Sequence, residues 1–259
     1  MQEIELNRLI DRASVGDAEA IISLIDYYIS INDKKRAILE AERLKYVRSS
    51  LAYRKLANLA LTGVLETADT SKAKEYYSKA FDLGDEISGY NLALLLIKEN
   101  RASEAIYYLS SGVANDYIPS IKLMASLYLK GEVVVKDLHI AFSLLKKAFE
   151  LGENSVVASL GKISYQLGDY EAAFKYFNIG VNHHDLDAIY HLGLCYAKGL
   201  GTAQDLSKSR FYYEMGANLN EPNCLYNLSL YYRNGIGVEQ NIALADTLLQ
   251  QAIDCGFKK

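Results

Sequence analysis

Large apolar residues recur along the chain at intervals that alternate between 32 and 36 residues. They stand at Leu24, Leu56, Leu92, Met124, Leu160, Leu192 and Leu228, which we call the register positions. A small residue usually lies four positions before each register position and another directly after it, as Ala188 and Gly193 do around Leu192. Side chains four residues apart share one face of a helix. The pattern therefore predicts seven repeats, each with a first helix whose small residues let a neighbouring helix approach closely.

A second helix is predicted in every repeat. Its marker residues are Ala37, Ala73, Ala105, Ala141, Ala173, Ser209 and Ala245. Four positions before each marker stand Asp33, Asp69, Arg101, Asp137, Asp169, Asp205 and Asn241. All except Arg101 are residue types that cap a helix N-terminus by accepting its free N–H groups. In the third repeat we expect Asn100 or Ser103 to provide the cap instead.

The ends of the second helices also follow the alternating period, at Gly16, Arg48, Gly84, Asp116, Gly152, His184, Asn220 and Gly256. Most of these residue types tolerate a positive φ after a helix. Gly16 fits the register although no full repeat precedes it, so residues 3–15 are predicted to form a lone helix that caps the N-terminal end. The 36-residue repeats carry longer links, in which a glycine is expected to end the first helix: residues 63–69, 131–137, 199–205 and 235–241.

Residues 188–205 resemble the Sel-like repeat, a relative of the tetratricopeptide repeat, in their small residues, Tyr196 and the Gly199-Leu-Gly201 link. Residues 224–241 match equally well, residues 52–84 and 120–152 match more loosely, and the short repeats are closer to plain tetratricopeptide repeats. The resemblance implies an all-α, right-handed α/α superhelical solenoid of about seven helix pairs with an N-terminal cap helix. We expect a single domain with a cap at 1–16 and repeats at 17–48, 49–84, 85–116, 117–152, 153–184, 185–220 and 221–256.

Proteins of this family are adaptors that gather partners in signalling, envelope and secretion pathways, most often in bacteria. The resemblance therefore implies a non-catalytic scaffold that binds a protein or peptide in the concave groove lined by the first helices. Groove positions hold seven basic residues against three acidic ones, on a chain of net charge −4. An acidic or C-terminal peptide segment suits such a surface. The predicted partner-binding residues are Arg54, Asn58, Tyr90, Lys98, Lys122, Lys130, Lys162, Tyr190, Lys198, Tyr226 and Arg233.

Two other classes of function stay open. Some secreted relatives carry two cysteines per repeat and a weak penicillin-binding activity, but this chain lacks that cysteine pattern, and no Ser-His-Asp or Cys-His arrangement of a hydrolase stands out. The net charge of −4 disfavours a nucleic-acid-binding regulator, although the locally basic groove is compatible with one.

No cofactor or metal is expected. His183, His184, Asp187 and His191 form the one metal-like cluster, but His184 falls at a turn where histidine tolerates a positive φ. The paired glycines of the last two links lack the third glycine of a phosphate-binding loop.

The chain shows neither a signal peptide nor a long apolar run, and its three cysteines are an odd number. We therefore expect a cytoplasmic protein without a membrane span.

Overall fold

The computed structural model describes residues 3–258, and over that range the chain forms fifteen α-helices, one 3-10 turn at Asn154–Val156 and no strand. The predicted all-α fold is confirmed. The helices are α1 (Glu3–Ser14), α2 (Ala18–Ser30), α3 (Lys34–Leu44), α4 (Ser50–Thr62), α5 (Thr70–Phe81), α6 (Glu86–Lys98), α7 (Ala102–Ala114), α8 (Ile118–Lys130), α9 (Leu138–Glu150), α10 (Val157–Gln166), α11 (Tyr170–Asn182), α12 (Leu186–Lys198), α13 (Leu206–Asn218), α14 (Pro222–Asn234) and α15 (Ile242–Asp254).

Contacts divide the chain into two compact parts, residues 1–135 and residues 136–259. In the N-terminal part α2 packs on α3, α4 on α5 and α6 on α7. In the C-terminal part α10 packs on α11, α12 on α13 and α14 on α15. The even-numbered helices are the predicted first helices and carry the register positions. The grouping of all repeats into one domain stays a prediction. No helix in the described range is long and apolar enough to cross a membrane.

Helix α1 lies where the cap helix was predicted. Its Ala13 is fully buried, and Leu6 and Leu9 pack against the core of the first two repeats. The guanidinium of Arg43 on α3 donates a 2.7 Å hydrogen bond to the carbonyl oxygen of Ala13 and also pairs with Glu40. The same carbonyl oxygen also accepts a 3.0 Å hydrogen bond from the backbone N–H of Gly16, so two donors meet at the end of α1. The cap is therefore held both by apolar burial and by a side chain of the first repeat.

Side-chain caps open the second helices as predicted, with one exception. The side chains of Asp33, Asp69, Asp137, Asp169, Asp205 and Asn241 each accept a backbone N–H two or three residues ahead. Helix α7 has Arg101 at its N-cap and no side-chain cap, so the prediction that Asn100 or Ser103 caps it is wrong. Asn100 adopts a φ of 59° and lies in the three-residue link between α6 and α7, where it reverses the chain.

Positive φ values follow the second helices at seven of the eight predicted positions, namely Gly16, Gly84, Asp116, Gly152, His184, Asn220 and Gly256. Arg48 is the exception. Arginine does not adopt a positive φ cheaply. Helix α3 instead ends early, at Leu44, and an irregular stretch leads from Lys45 to α4.

The small residues directly after the register positions allow the close helix approach that the pattern predicted. A Cβ atom at Gly193 would lie 2.7 Å from the ring of Tyr213, and one at Gly161 would lie 2.4 Å from the ring of Phe177. Both rings are buried. The second helix of each of these repeats thus lays an aromatic ring directly on the backbone of the first.

Replacing Leu192 with alanine tests this packing. Leu192 is fully buried beside Ala173, Phe177 and Ala188. We expect L192A to lower the free energy of unfolding by about 2–5 kcal/mol, because the cavity cannot fully collapse. The control E239A changes an exposed side chain in the last link and should cost at most about 0.5 kcal/mol. Equal, small losses for both variants in urea unfolding would contradict the register.

Candidate functional site

The predicted binding residues all lie on first helices, at positions two before and two, five or six after the register. With 3.6 residues per turn, these positions occupy a sector of roughly 100° opposite the register side chain. We call this surface the first-helix face. Asn58, Lys98, Lys130 and Lys198 are exposed there, and the other members are half-buried: Arg54, Tyr90, Lys122, Lys162, Tyr190, Tyr226 and Arg233.

Residues two positions before the register contact the residue that precedes the next first helix. Arg54 on α4 forms a 2.7 Å ion pair with Asp85, the N-cap residue of α6. Tyr90 on α6 meets Tyr117, the N-cap residue of α8, edge to face with ring centroids 6.1 Å apart. The residue two positions before the register and the N-cap residue of the next first helix thus match in chemistry: opposite charges in one pair and two aromatic rings in the other.

The same relation holds in the C-terminal part. Tyr226 on α14 stacks on Phe257 with ring centroids 4.2 Å apart and planes 15° apart. Burial raises the pKa of the Tyr190 hydroxyl, and the carboxylate of Glu221, the N-cap residue of α14, raises it further. Sequence analysis missed Asp85, Tyr117, Glu221 and Phe257 as partners, although their fixed place after each second helix could have revealed them.

The Arg54–Asp85 pair is half-buried, with 24% of the arginine and 12% of the aspartate side chain exposed. Asp85 also accepts hydrogen bonds from the backbone N–H and the hydroxyl of Ser88, so it caps α6 at the same time. A buried carboxylate with several donors is costly to leave without its cation. Arg54 therefore joins two repeats, and its charge is already matched within the protein.

Other basic residues of the face are matched in the same way. Lys162 on α10 pairs with Asp187 on α12, and Arg233 on α14 pairs with Asp246 on α15. The basic excess of the face is therefore smaller than the residue tally predicts. Lys98, Lys130 and Lys198 are exposed at the last residues of α6, α8 and α12 and form no ion pair within residues 3–258.

Asn58 is held by the helix behind it. Its side-chain oxygen accepts a hydrogen bond from the hydroxyl of Tyr77 on α5, whose ring is buried. Tyr77 and its counterpart Tyr213 occupy the core, as the exchange of tyrosine with phenylalanine at this position indicates. The side-chain oxygen of Asn58 is therefore already bonded within its own repeat.

The residues of the metal-like cluster have separate structural roles. His184 adopts a φ of 57° in the turn after α11, and Asp187 pairs with Lys162. The ring of His191 stacks on Phe177 with centroids 4.8 Å apart. Within the described range no group of three or more His, Cys, Asp or Glu side chains is arranged to hold a metal ion.

His191 is a half-buried polar residue next to Tyr190 on α12. Its Nδ1 atom is buried and has no hydrogen-bond partner among the described residues. Burial lowers the pKa of this imidazole, and the nearby Lys162 ammonium lowers it further, while Asp187 opposes the shift. His191 is therefore held in its neutral form.

The two buried cysteines belong to the core. Burial raises the pKa of the Cys195 thiol to about 11, and burial together with Glu221 raises that of Cys224. A thiol with a raised pKa is mostly protonated at neutral pH and is a poor nucleophile. All three cysteines of the chain are free.

A family model described as the Sel1 repeat matches residues 50–85, 119–153, 160–182, 186–221 and 222–257. Among curated proteins, the DAP3-binding cell death enhancer 1 of Rattus norvegicus is 26% identical over 184 residues, which cover 68% of this chain and 35% of the rat protein. The chain spans about a third of the length of the curated relatives it matches.

Solved structures show the same fold. The protective antigen c5321 of uropathogenic Escherichia coli, which displays an SLR fold, aligns with a TM-score of 0.68 at 20% identity over 96% of this chain and 58% of that one. A Sel1 repeat protein from Oxalobacter formigenes aligns with a TM-score of 0.62 at 21% identity over 92% of this chain and 97% of that one.

A double-mutant cycle on Arg54 and Asp85 tests their role between repeats. We expect R54M, D85N and the double variant to give a coupling of about 1–2 kcal/mol in the free energy of unfolding, because the pair is partly desolvated. The exposed pair Lys79–Glu75 on α5 is the control and should couple by at most about 0.5 kcal/mol. Equal coupling energies for the two pairs would contradict a special role for Arg54.

His191 predicts a pH dependence of stability. Its folded pKa is lowered, so below the ordinary value of about 6.5 the unfolded chain binds a proton that the folded chain resists. This contribution to stability is present above that pH and is lost progressively as the pH falls below it. The variant H191F lacks it, so the free energy of unfolding should fall less between pH 8 and pH 5.5 than in the wild type. Parallel pH curves from urea unfolding would show that His191 does not contribute.

Proposed function

The chain belongs to the Sel1 repeat family, and we propose that it is a non-catalytic adaptor that binds a protein partner through the first-helix face. Repeats of this family generally mediate protein–protein interaction. The rat relative is named for binding the protein DAP3, which supports the same class of function here. The three free cysteines support action in the reducing cytoplasm.

The observation that carries the proposal is the pair of exposed lysines on neighbouring first helices of the N-terminal part. Lys98 and Lys130 end α6 and α8 and have no carboxylate partner in the described chain. Ile87 at the other end of α6 is 40% exposed on the same face. Cations beside an accessible aliphatic surface suit a partner segment that combines acidic and apolar residues.

The chemistry of the remaining residues favours binding over catalysis. The buried thiols of Cys195 and Cys224 are held protonated, and His191 is stacked in the protein with no carboxylate bonded to its ring. General acid–base or nucleophilic catalysis needs a nucleophile and a base within hydrogen-bond reach of each other. Tyrosines such as Tyr190 and Tyr226 add contact area at low entropic cost.

The test compares K98A/K130A with a control, K35A/K175A, that removes two exposed lysines from the second helices α3 and α11. A partner recovered with the wild-type chain from its native host is titrated against each form by calorimetry. We expect the face variant to weaken binding by about 1–2 kcal/mol, roughly 5- to 30-fold, and the control to leave it unchanged. Lys162 is not substituted in this test because its charge is already paired with Asp187.

An equal loss in the control, or no loss in the face variant, would contradict binding on this face. Repeating the titration over a range of salt concentrations separates a protein partner from nucleic acid. Phosphate contacts make the affinity fall steeply with salt, by about one log unit per log unit of salt for each phosphate.

A further inference from the structure

A cleft opens in the N-terminal part between the second helix of the first repeat and the link of the second. Its apolar floor is formed by Leu56, Leu59, Ala60 and Leu65, and α3 and α5 form its walls. The cavity measures about 100 Å³. Sites for cofactors and drug-sized ligands are usually at least about 300 Å³, and a closed cavity that binds benzene measures about 150 Å³. The cleft is therefore too small for a cofactor and receives at most part of one side chain.

The cleft lacks one aromatic ring that equivalent repeats carry. Ala60 stands four positions after the register residue Leu56. The other three 36-residue repeats carry a tyrosine at this position: Tyr128, Tyr196 and Tyr232. Alanine therefore leaves an opening where this type of repeat otherwise places a phenol ring.

The surroundings of Tyr196 show what such a ring contacts. It stacks on Tyr212 with centroids 5.7 Å apart and planes 5° apart, and it meets Phe174 edge to face at 5.4 Å. The ammonium of Lys208 lies 5.2 Å from the centre of the ring. This is a complete aromatic and cation–π environment.

The second repeat keeps that environment without the ring. The residues equivalent to Tyr212, Phe174 and Lys208 are Tyr76, Ile38 and Lys72. All three line the cleft. The cleft thus presents an aromatic face, an aliphatic wall and a cation in the positions that surround a tyrosine elsewhere in the same chain.

Local backbone differences explain why the opening has not closed. At the position of Leu65, the sixth repeat has Gly201, whose Cβ would lie 2.0 Å from the carbonyl oxygen of Tyr170. Only glycine lets that link lie directly on the preceding second helix. Leu65 instead packs its side chain against the core that includes Ala41 and Leu56, and α3 ends early, at Leu44. The opening is therefore built into the sequence.

The residues that line the cleft carry one more negative than positive charge. Glu42 pairs with Lys45, and Asp69 lies 3.7 Å from the ammonium of Lys72. Glu66 is exposed and forms no direct ion pair in the described part of the chain, although it adds to the effect by which Glu42 raises the pKa of Lys45. A cationic group beside the occupant would complement it.

We propose that this cleft binds the aromatic side chain of a partner segment, a tyrosine or phenylalanine with a lysine or arginine beside it. The incoming ring stacks on Tyr76 as Tyr196 stacks on Tyr212, and the neighbouring cation meets Glu66. The walls come from second helices and a link, so the cleft is a second site, and it does not rest on binding at the first-helix face.

The test titrates the full chain with the blocked peptide acetyl-Gly-Tyr-Lys-Gly-amide and follows backbone amide signals by NMR. We expect millimolar binding with shifts confined to residues 38–76. Replacing the peptide tyrosine with alanine should weaken binding at least about tenfold, because a ring is no longer buried. Replacing the lysine with glutamate should weaken it about two- to fivefold.

Two variants of the protein complete the test. A60Y supplies the ring in cis and should abolish binding while leaving the melting temperature unchanged or higher. E66Q should remove the preference for lysine over glutamate, and the control E132Q, an exposed glutamate in the link of the fourth repeat, should keep it.

Equal binding of the tyrosine and alanine peptides, or unchanged binding to folded A60Y, would overturn the proposal. If A60Y does not fold, the peptide series and E66Q still test the proposal. A preference for the lysine peptide over the glutamate peptide that persists in E66Q would contradict the site. The variant K98A/K130A should bind the peptide as the wild type does, which separates this site from the first-helix face.

Discussion

The second helix of a repeat lies directly on the backbone of the first, and the other contacts of the fold depend on this close approach. In the sixth repeat the ring of Tyr213 covers Gly193, where a single added carbon atom would lie 2.7 Å away. The approach is possible only because the residue after the register is small, and it turns the opposite side of the first helix outward. The exposed face of each first helix is thus a consequence of how its buried face packs.

The residues on that exposed face fall into two groups. Positions before the register join successive repeats, as the Arg54–Asp85 ion pair and the Tyr90–Tyr117 contact do. In a repeat fold, stability is the sum of contacts within and between neighbours, so these pairs belong to the fold itself. The ends of the first helices carry Lys98 and Lys130, whose charges are not matched in the described chain. Charge on a repeat surface therefore indicates a ligand only after the pairs between repeats have been subtracted.

The features that could be predicted from the sequence are those that depend on local or periodic interactions. Helix pairs and aspartate caps recur at fixed spacing, and the cap helix ends in the same register. Each aspartate cap depends on residues within one turn of it. The prediction that Asn100 caps α7 was wrong because Asn100 adopts the positive φ that reverses the chain in its three-residue link, and α7 has no side-chain cap. The partners of Arg54 and Lys162 were missed because they belong to the next repeat, 31 and 25 residues away. The cleft at Ala60 is visible in the sequence only as the one departure from tyrosine among four equivalent positions.

Lysine footprinting of the wild-type chain, free and bound to its recovered partner, tests most directly whether the first-helix face is the binding surface. Amine-reactive labelling followed by mass spectrometry reads every lysine in one experiment, with no substitution to perturb the fold. We expect Lys98 and Lys130 to be labelled readily in the free chain and protected in the complex, while the labelling of Lys35 and Lys175 on second helices is unchanged. Protection of the second-helix lysines with none at Lys98 and Lys130 would contradict binding on this face.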